Sequence, residues 1–213
     1  CNFRDFKLAS AALGENRIRM FDTPGRIHVD LMKDVQKTYK LDSYKLDNVS
    51  ANFIRGDIIK IEECENNNYN LYCKKIDDIF IEDFIHIEQV FDFISDNIGK
   101  KYKIINIDKE KKLLTIKGDD DIKDFLEEDY ETEFKLIWSQ AKDDVGPKDI
   151  FRLFKGSAED RAIVAKYCIK DCRLVGLLMN KLEVVTKNIE MSNVCFVPLS
   201  FLFTRGQIIK LFS

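Results

Sequence analysis

The first fifty or so residues pass from strand-like to helix-like spacing of apolar side chains. Apolar and polar positions alternate at 7–11 and 17–21 around a Gly-Glu-Asn turn signal, which predicts a β-hairpin. After a Pro-Gly break, residues 26–30 are typical of a short strand. Apolar residues then recur at intervals of three and four over 31–39 and 46–53, which predicts two helices.

Residues 57–134 form a block with a different pattern. Apolar residues occur in short β-rich runs separated by asparagine, lysine and aspartate clusters. The spacing over 90–94 fits a single helical turn. We therefore predict a small antiparallel β-rich insertion. Its predicted strands lie at 58–61, 69–72, 79–81, 102–107 and 113–116.

From position 147 onward the pattern is helical. Pro147 opens a short helix and Gly156 ends it, and the pair Ser157 and Asp160 resembles a capping box. A long helix follows, with apolar residues on or near one stripe through 163–185.

Composition narrows the class of protein. The chain has 213 residues, of which 45% are hydrophobic and 33% charged. A chain of this length can bury a hydrophobic core, and its apolar content is too high for a disordered protein. Apolar runs are far shorter than the roughly 20 residues that span a bilayer, so we expect no membrane association. The chain begins at a cysteine without a signal peptide, and we interpret it as an intracellular fragment of a longer protein.

The net charge of −3 hides a split along the chain. Residues 57–134 hold 22 acidic and 11 basic side chains, a net charge of −11, while the remainder carries +8. Every arginine lies outside the acidic block, and arginine is well suited to phosphate contacts. The flanking parts are therefore candidates to face a polyanion. The alternative is that each part simply has its own solvated charged face.

Cysteine usage does not indicate a zinc site. The six cysteines include no C-x-x-C pair, and there are only two histidines. We expect reduced, partly buried thiols in an intracellular protein.

Tyr167 and Asp171 are the most specific local signal for chemistry. At positions i and i+4 of the predicted long helix, the phenol and the carboxylate project from one face about one turn apart. Asp171 interrupts an apolar stripe, where a carboxylate is costly unless a cation or a donor compensates it. The alternative is an ordinary tyrosine and aspartate on a helix surface.

Several motifs in order resemble family B DNA polymerases, most closely the delta-type enzymes and those of large double-stranded DNA viruses. The motif YCIKD at 167–171 is followed by Glu-Met at 190–191 and by VPLSFLFTRGQ at 197–207. Upstream, GRIHVD at 25–30 and YKLDSYKLDNVS at 39–50 are similar to the same family.

This resemblance implies an α/β fold, namely part of a ribonuclease-H-like 3′→5′ exonuclease domain with a β-rich insertion and a C-terminal helical segment that leads to the polymerase palm. It assigns 1–56 to the first part of the exonuclease domain and 57–134 to an acidic insertion of the kind seen in viral members. It assigns 135–190 to the helical part of the exonuclease domain and 191–213 to the link toward the palm.

The resemblance also implies roles for the two helix residues. Asp171 corresponds to the last of four carboxylates that hold two divalent cations, Mg²⁺ or Mn²⁺, and Tyr167 to the residue that orients the attacking water. The first two exonuclease motifs are absent. Asp30 is rejected for the second motif, because its Gly-Arg context matches the segment after that motif. The chain is thus expected to carry one of the four carboxylates.

Other candidate residues have weaker assignments. Arg205 and Gln207 flank a glycine and suit DNA contacts, with a helix break that packs the exonuclease against the palm as the alternative. Trp138 and most other aromatic residues are expected in the core, and His86 is expected in a strand rather than at a metal.

The resemblance implies a fragment of a DNA-directed DNA polymerase that acts in DNA replication, in the host nucleus or a cytoplasmic viral factory. Its partners would be DNA primer-template, deoxynucleoside triphosphates and a replication accessory factor. The isolated fragment is expected to be inactive. Two alternatives are a stand-alone nuclease of the same fold and a non-catalytic interaction module built around the acidic insertion.

Overall fold

The fold is described from a computed structural model, which divides the chain into two compact units. One unit comprises Cys1–Lys45 with Val175–Ser213, and the other comprises Leu46–Leu174. The residues that the structure describes are 3–10, 14–21, 23–91, 94–127, 134–142 and 145–204.

The first unit begins with the predicted hairpin. Strand β1, Phe3–Ser10, pairs antiparallel with β2, Gly14–Phe21, from Phe3 opposite Phe21 to Ser10 opposite Gly14. The turn was predicted too late in the chain, because its Gly-Glu-Asn residues pair within β2 and the connection at 11–13 lies outside the described residues.

Helix α1, Leu31–Thr38, confirms the next prediction, but the short strand predicted at 26–30 is wrong. Asp30 is instead the N-cap of α1, and its carboxylate accepts the Lys33 backbone N–H at 3.3 Å. Aspartate suits this position because it satisfies one of the unpaired N–H groups of the first helical turn.

The second unit is built around a closed six-stranded barrel. Helix α2, Leu46–Phe53, leads into it. The strands are β3 Arg55–Cys64, β4 Asn68–Cys73, β5 Phe84–Phe91, β6 Ile94–Asp108, β7 Leu113–Lys117 and β8 Lys135–Ala141. They pair in the order β3-β4-β7-β6-β5-β8, and every pairing is antiparallel. The predicted antiparallel character of the insertion is confirmed.

The barrel core consists of side chains at alternate positions of the strands. In β4 the residues Tyr69, Leu71 and Cys73 are buried while their neighbours are partly exposed, and the same alternation occurs over 84–87 in β5 and over 113–116 in β7. This is the period of two that turns one face of a strand inward. Helix α3, Asp120–Glu127, adds Ile122 and Phe125 to the buried set.

Two details of the barrel differ from the sequence prediction. Residues 79–81 form no strand. The helical turn predicted over 90–94 is wrong for the residues described there, since Val90 and Phe91 end β5 and Ile94 begins β6. Strand β8, which begins at Lys135, closes the barrel by pairing with β3 and β5.

Trp138 packs in the barrel core, as predicted. Its side chain is fully buried on β8, and Nε1 donates a hydrogen bond to Lys75 O at 3.1 Å. A Cβ on Gly56 would lie 2.5 Å from Lys75 O and 2.7 Å from Trp138 Nε1. Glycine is therefore needed where β3 passes the indole.

The helical part of the chain follows the barrel. Helix α4, Pro147–Phe154, and helix α5, Ala158–Lys181, confirm the predicted pair. Helix α6, Val184–Cys195, and helix α7, Leu199–Thr204, complete the described part of the chain. The structure thus confirms a mixed α/β class. No helix in the described part of the chain is both long and apolar enough to cross a membrane.

Candidate functional site

The start of helix α5 is fixed by a reciprocal capping box. Ser157 N–H donates to Asp160 Oδ2 at 3.0 Å, and Asp160 N–H donates to Ser157 Oγ at 3.2 Å. A Cβ on Gly156 would clash with the Asp160 carboxylate, which explains the glycine at this position. The box sets where the helix begins and thereby which residues reach its inner face.

Tyr167 and Asp171 both lie on α5, one turn apart, as the sequence predicted. Tyr167 is buried together with Val164 and Leu174 of the same stripe, whereas Asp171 is half-buried at its edge. The carboxylate is therefore neither sealed in the core nor fully solvated. Tyr167 and Asp171 are one helical turn apart on this part of α5.

Lys142, directly after β8, supplies the positive charge near this pair. Its Nζ lies 5.2 Å from the centroid of the Tyr167 ring and 3.7 Å from Asp47 Oδ1. The pKa of Lys142 is raised, chiefly by a hydrogen bond with the Tyr167 side chain and further by the charges of Asp47 and Asp171, against the opposing effect of burial. Lys142 therefore stays protonated and compensates the carboxylates around Tyr167.

The described residues do not by themselves form a metal site. No group of three or more His, Cys, Asp and Glu side chains among them is placed to hold a metal ion. Asp171 offers one hard oxygen donor of the kind that Mg²⁺ or Mn²⁺ takes, while an octahedral ion needs several. Asp171 is thus one potential ligand and not a complete site.

The adjoining face of α5 is held by the loop between β4 and β5. The buried carboxylate of Asp83 accepts hydrogen bonds from Arg173 Nη2 at 2.9 and 3.2 Å. Lys170 Nζ donates to Glu82 O at 2.8 Å, and Lys166 pairs with the Glu82 carboxylate. This charged clasp fixes the helix turn that carries Asp171 against the barrel.

The structure also locates the weaker candidates. Arg205 and Gln207 lie outside the described residues. His86 is in β5, and its Nδ1 lies 2.6 Å from Lys100 O, so its side chain links β5 to β6 of the barrel. The five cysteines in the described part of the chain are free thiols, as expected.

Sequence reasoning missed Lys142, Asp83 and Arg173. Lys142 and Asp83 are distant in sequence from the motif at 167–171, and each reaches α5 only because the barrel brings it there. Arg173 lies only two residues beyond the motif, but nothing local distinguishes it from an exposed helix arginine. The one signal in the sequence was that Asp171 interrupts an apolar stripe, which indicates a compensating cation or donor nearby.

Comparison with known proteins gives the class of protein. Over 211 residues the chain is 39% identical to a DNA polymerase of Pyramimonas orientalis virus, which covers 99% of this chain and 15% of that relative. Over 206 residues it is 37% identical to a DNA polymerase of Phaeocystis pouchetii virus, covering 95% of this chain and 19% of the relative. No family model matches the chain.

The chain is therefore homologous to DNA polymerases. More particularly, the relatives that match it over nearly its whole length are DNA polymerases of large double-stranded DNA viruses. A DNA polymerase delta catalytic subunit of Glycine max is 44% identical over 75 residues, which cover 35% of this chain and 7% of that protein. The chain spans less than a fifth of the length of the two algal-virus relatives.

Proposed function

We propose that this chain is part of a family B DNA polymerase of a large double-stranded DNA virus. It contributes the second half of a ribonuclease-H-like 3′→5′ proofreading domain, interrupted by the acidic barrel, and the segment that leads toward the palm. The observation that carries the proposal is the pair of buried Tyr167 and half-buried Asp171, one turn apart on α5, in a chain that is similar over nearly its whole length to viral DNA polymerases.

The proposed role of Asp171 is that of one carboxylate in a proofreading centre completed by other parts of the parent polymerase. Mg²⁺ or Mn²⁺ would supply activation of water and stabilisation of the leaving oxygen in that centre. Within this chain, the Lys142 ammonium lies over the Tyr167 ring, and the charge of Asp171 is among the causes that raise the pKa of Lys142. The clasp from Asp83 to Arg173 holds the helix in place.

The parent enzyme would act on DNA primer-template with deoxynucleoside triphosphates, and would remove mispaired nucleotides from the primer 3′ end. A replication accessory factor is the expected protein partner. The site of action would be the host nucleus or a cytoplasmic viral factory.

Replacement of Asp171 in the parent polymerase tests the proposal. We expect Asp171→Ala to lower the rate of excision of a mispaired primer terminus at least about a hundredfold, since even residues behind a metal ligand are worth ten- to a hundredfold. Extension of a matched primer should remain near the parent rate. Glu159→Gln, an exposed change on the first turn of the same helix, is the control. Normal excision by the Asp171 variant would contradict the assignment.

The isolated chain distinguishes the alternative of a stand-alone nuclease. With a single candidate carboxylate, it should not digest single-stranded DNA in the presence of Mg²⁺. Digestion that is lost in the Asp171→Ala variant would favour the stand-alone enzyme over the polymerase fragment.

The acidic barrel supports a second function, a protein interaction module. An open depression of about 780 Å³ lies between loop residues 79–81 and residues 106–109 at the end of β6. Its wall includes the exposed apolar side chains of Phe80 and Ile81. Affinity capture with the full chain, compared with an Ile81→Asp variant, tests for a partner at this surface.

A further inference from the structure

Helix α4 presents an outward face on which aromatic rings and cations alternate. Lys148, Phe151, Arg152 and Lys155 are spaced as i, i+3, i+4 and i+7, and Phe154 lies beside them. Phe151 is 71% exposed and Phe154 is 66% exposed, whereas the sequence analysis expected most aromatic residues in the core. The opposite side of the helix is anchored by the buried Leu153.

This arrangement is unusual for a solvated helix surface. Two large rings three residues apart expose apolar area that isolated surface residues do not, and such patches mark binding surfaces. The exposed Phe91 at the end of β5, by contrast, lies on the acidic barrel. On α4 the rings lie among cations instead.

Local contacts leave the positive charge at the surface. Arg152 Nη2 lies 3.3 Å from Asp149 Oδ1, and both side chains are largely exposed, so the pair is well solvated. Just past the helix, Arg161 Nη1 donates to Gly156 O at 2.7 Å, which orients a further guanidinium at this end of α4. Asp149 is the only acidic residue within α4.

We propose that this α4 face, Lys148 to Lys155, binds an unpaired DNA strand. Bases would stack on the rings of Phe151 and Phe154, and the phosphates would contact Lys148, Arg152 and Lys155. Rings alone would equally suit a protein surface, and cations alone would suit a duplex. The two together fit a strand whose bases are free to stack.

The α4 site deepens the proposed function and rests on it, because a proofreading enzyme must hold an unpaired primer end. Helix α5 begins just after α4, and Asp171 lies about 20 Å further along its axis at 1.5 Å per residue. At duplex spacing this length corresponds to about six nucleotides of one strand. The α4 face would then hold the strand at a distance from the reacting end.

Binding is tested with the full chain, a fluorescein-labelled oligothymidylate of about twelve nucleotides and EDTA, so that no hydrolysis is involved. Fluorescence anisotropy gives the Kd. We expect Phe151→Ala with Phe154→Ala to weaken binding about tenfold or more, since each stacked base contributes about 1–3 kcal/mol. Phe91→Ala is the matched control and should bind like the parent. Circular dichroism checks that each variant is folded.

The charge contacts are tested separately by salt titration. Arg152→Gln with Lys155→Gln should lower the slope of log K against log salt by about 1.4, because each phosphate contact on a single strand contributes about 0.7. A duplex of the same length should bind more weakly than the single strand.

Three results would overturn the α4 site: no binding of the single strand up to about 100 µM, equal affinity of the parent and the double phenylalanine variant, or preference for the duplex. A phenylalanine variant that binds DNA normally but loses a protein partner would reassign the face to protein docking. Because the assay needs no metal or excision, failure of the Asp171 test would leave its outcome unchanged.

Discussion

The ion pair between Asp83 and Arg173 should be a large single contribution to the stability of the barrel-containing unit. The Asp83 carboxylate is only 4% exposed and accepts two hydrogen bonds from Arg173 and one from the Phe80 backbone N–H at 3.0 Å. The guanidinium also stacks 4.1 Å from the centroid of the Phe80 ring. Removing Arg173 would leave a buried carboxylate without its main partner.

The expected loss in the free energy of unfolding depends on how deeply Asp83 and Arg173 are each buried. Loss of one partner of a fully buried pair costs about 3–5 kcal/mol. The Arg173 side chain is 40% exposed, and Lys170 Nζ remains 3.7 Å from Asp83 Oδ1, so water and the lysine recover part of this loss. We therefore expect Arg173→Gln to lower the free energy of unfolding by about 2 kcal/mol.

The single tryptophan, Trp138, provides the assay because it is fully buried in the barrel. At a urea m-value of about 2 kcal/mol/M, the expected change moves the midpoint of the fluorescence transition down by about 1 M. Lys60→Gln is the matched control, since it also removes a cation from an ion pair, with Glu62, but at an exposed position. Its midpoint should equal that of the parent.

A double-mutant cycle separates the pair from other effects of the substitutions. Asp83→Asn combined with Arg173→Gln should cost less than the sum of the two single changes, because the double variant leaves no unpaired buried charge. An Arg173→Gln midpoint within about 0.2 M of the parent would refute the reasoning, as would strictly additive effects.

Two further predictions concern titratable groups of the barrel. Burial raises the pKa of the Cys73 thiol to about 12, whereas Cys168 is exposed. At pH 8 iodoacetamide should therefore modify Cys168 and spare Cys73 until urea unfolds the barrel. Equal labelling of the two cysteines in the native protein, measured by mass spectrometry, would contradict this. Hydrogen bonds from Lys135 and then Lys74 hold the pKa of Asp57 below its ordinary value. The ionised Asp57 therefore stabilises the fold above pH about 4, and this stabilisation is lost as the pH falls through the lowered pKa. Asp57→Asn should therefore lower the urea midpoint at pH 7 but much less at pH 3; an equal difference at both pH values would argue against the linkage.

Helix patterns were predictable because their signals are local. The capping box at Ser157 and the proline at the start of α4 act on neighbouring backbone groups, and both helices begin where these signals lie. The false strand at 79–81 failed for a local reason as well. Asp78 and Glu82, on either side, have φ values of 64° and 70°, which a strand does not tolerate.

Closure of the barrel could not be read from local pattern. Strand β8 pairs with both β3 and β5, which are distant in sequence, and its last five residues are all buried rather than alternating. A short apolar run of this kind fits a buried strand or a helix equally well. The same non-local pairing places Lys142 at Tyr167, so the cation of the candidate site was hidden for the same reason.

Under the proposed function, the charge separation within the barrel-containing unit favours one direction of approach by DNA. Residues 57–134, with a net charge of −11, would repel phosphates, and screening in physiological salt would limit that repulsion to about 8 Å. The cations of α4 follow β8 in the sequence and lie outside this acidic block. The Asp83 carboxylate of the barrel-containing unit is paired with Arg173 and thereby holds α5. A barrel that both repels DNA from its own surface and fixes the helix of Asp171 would favour a strand that reaches this carboxylate along the α4 side.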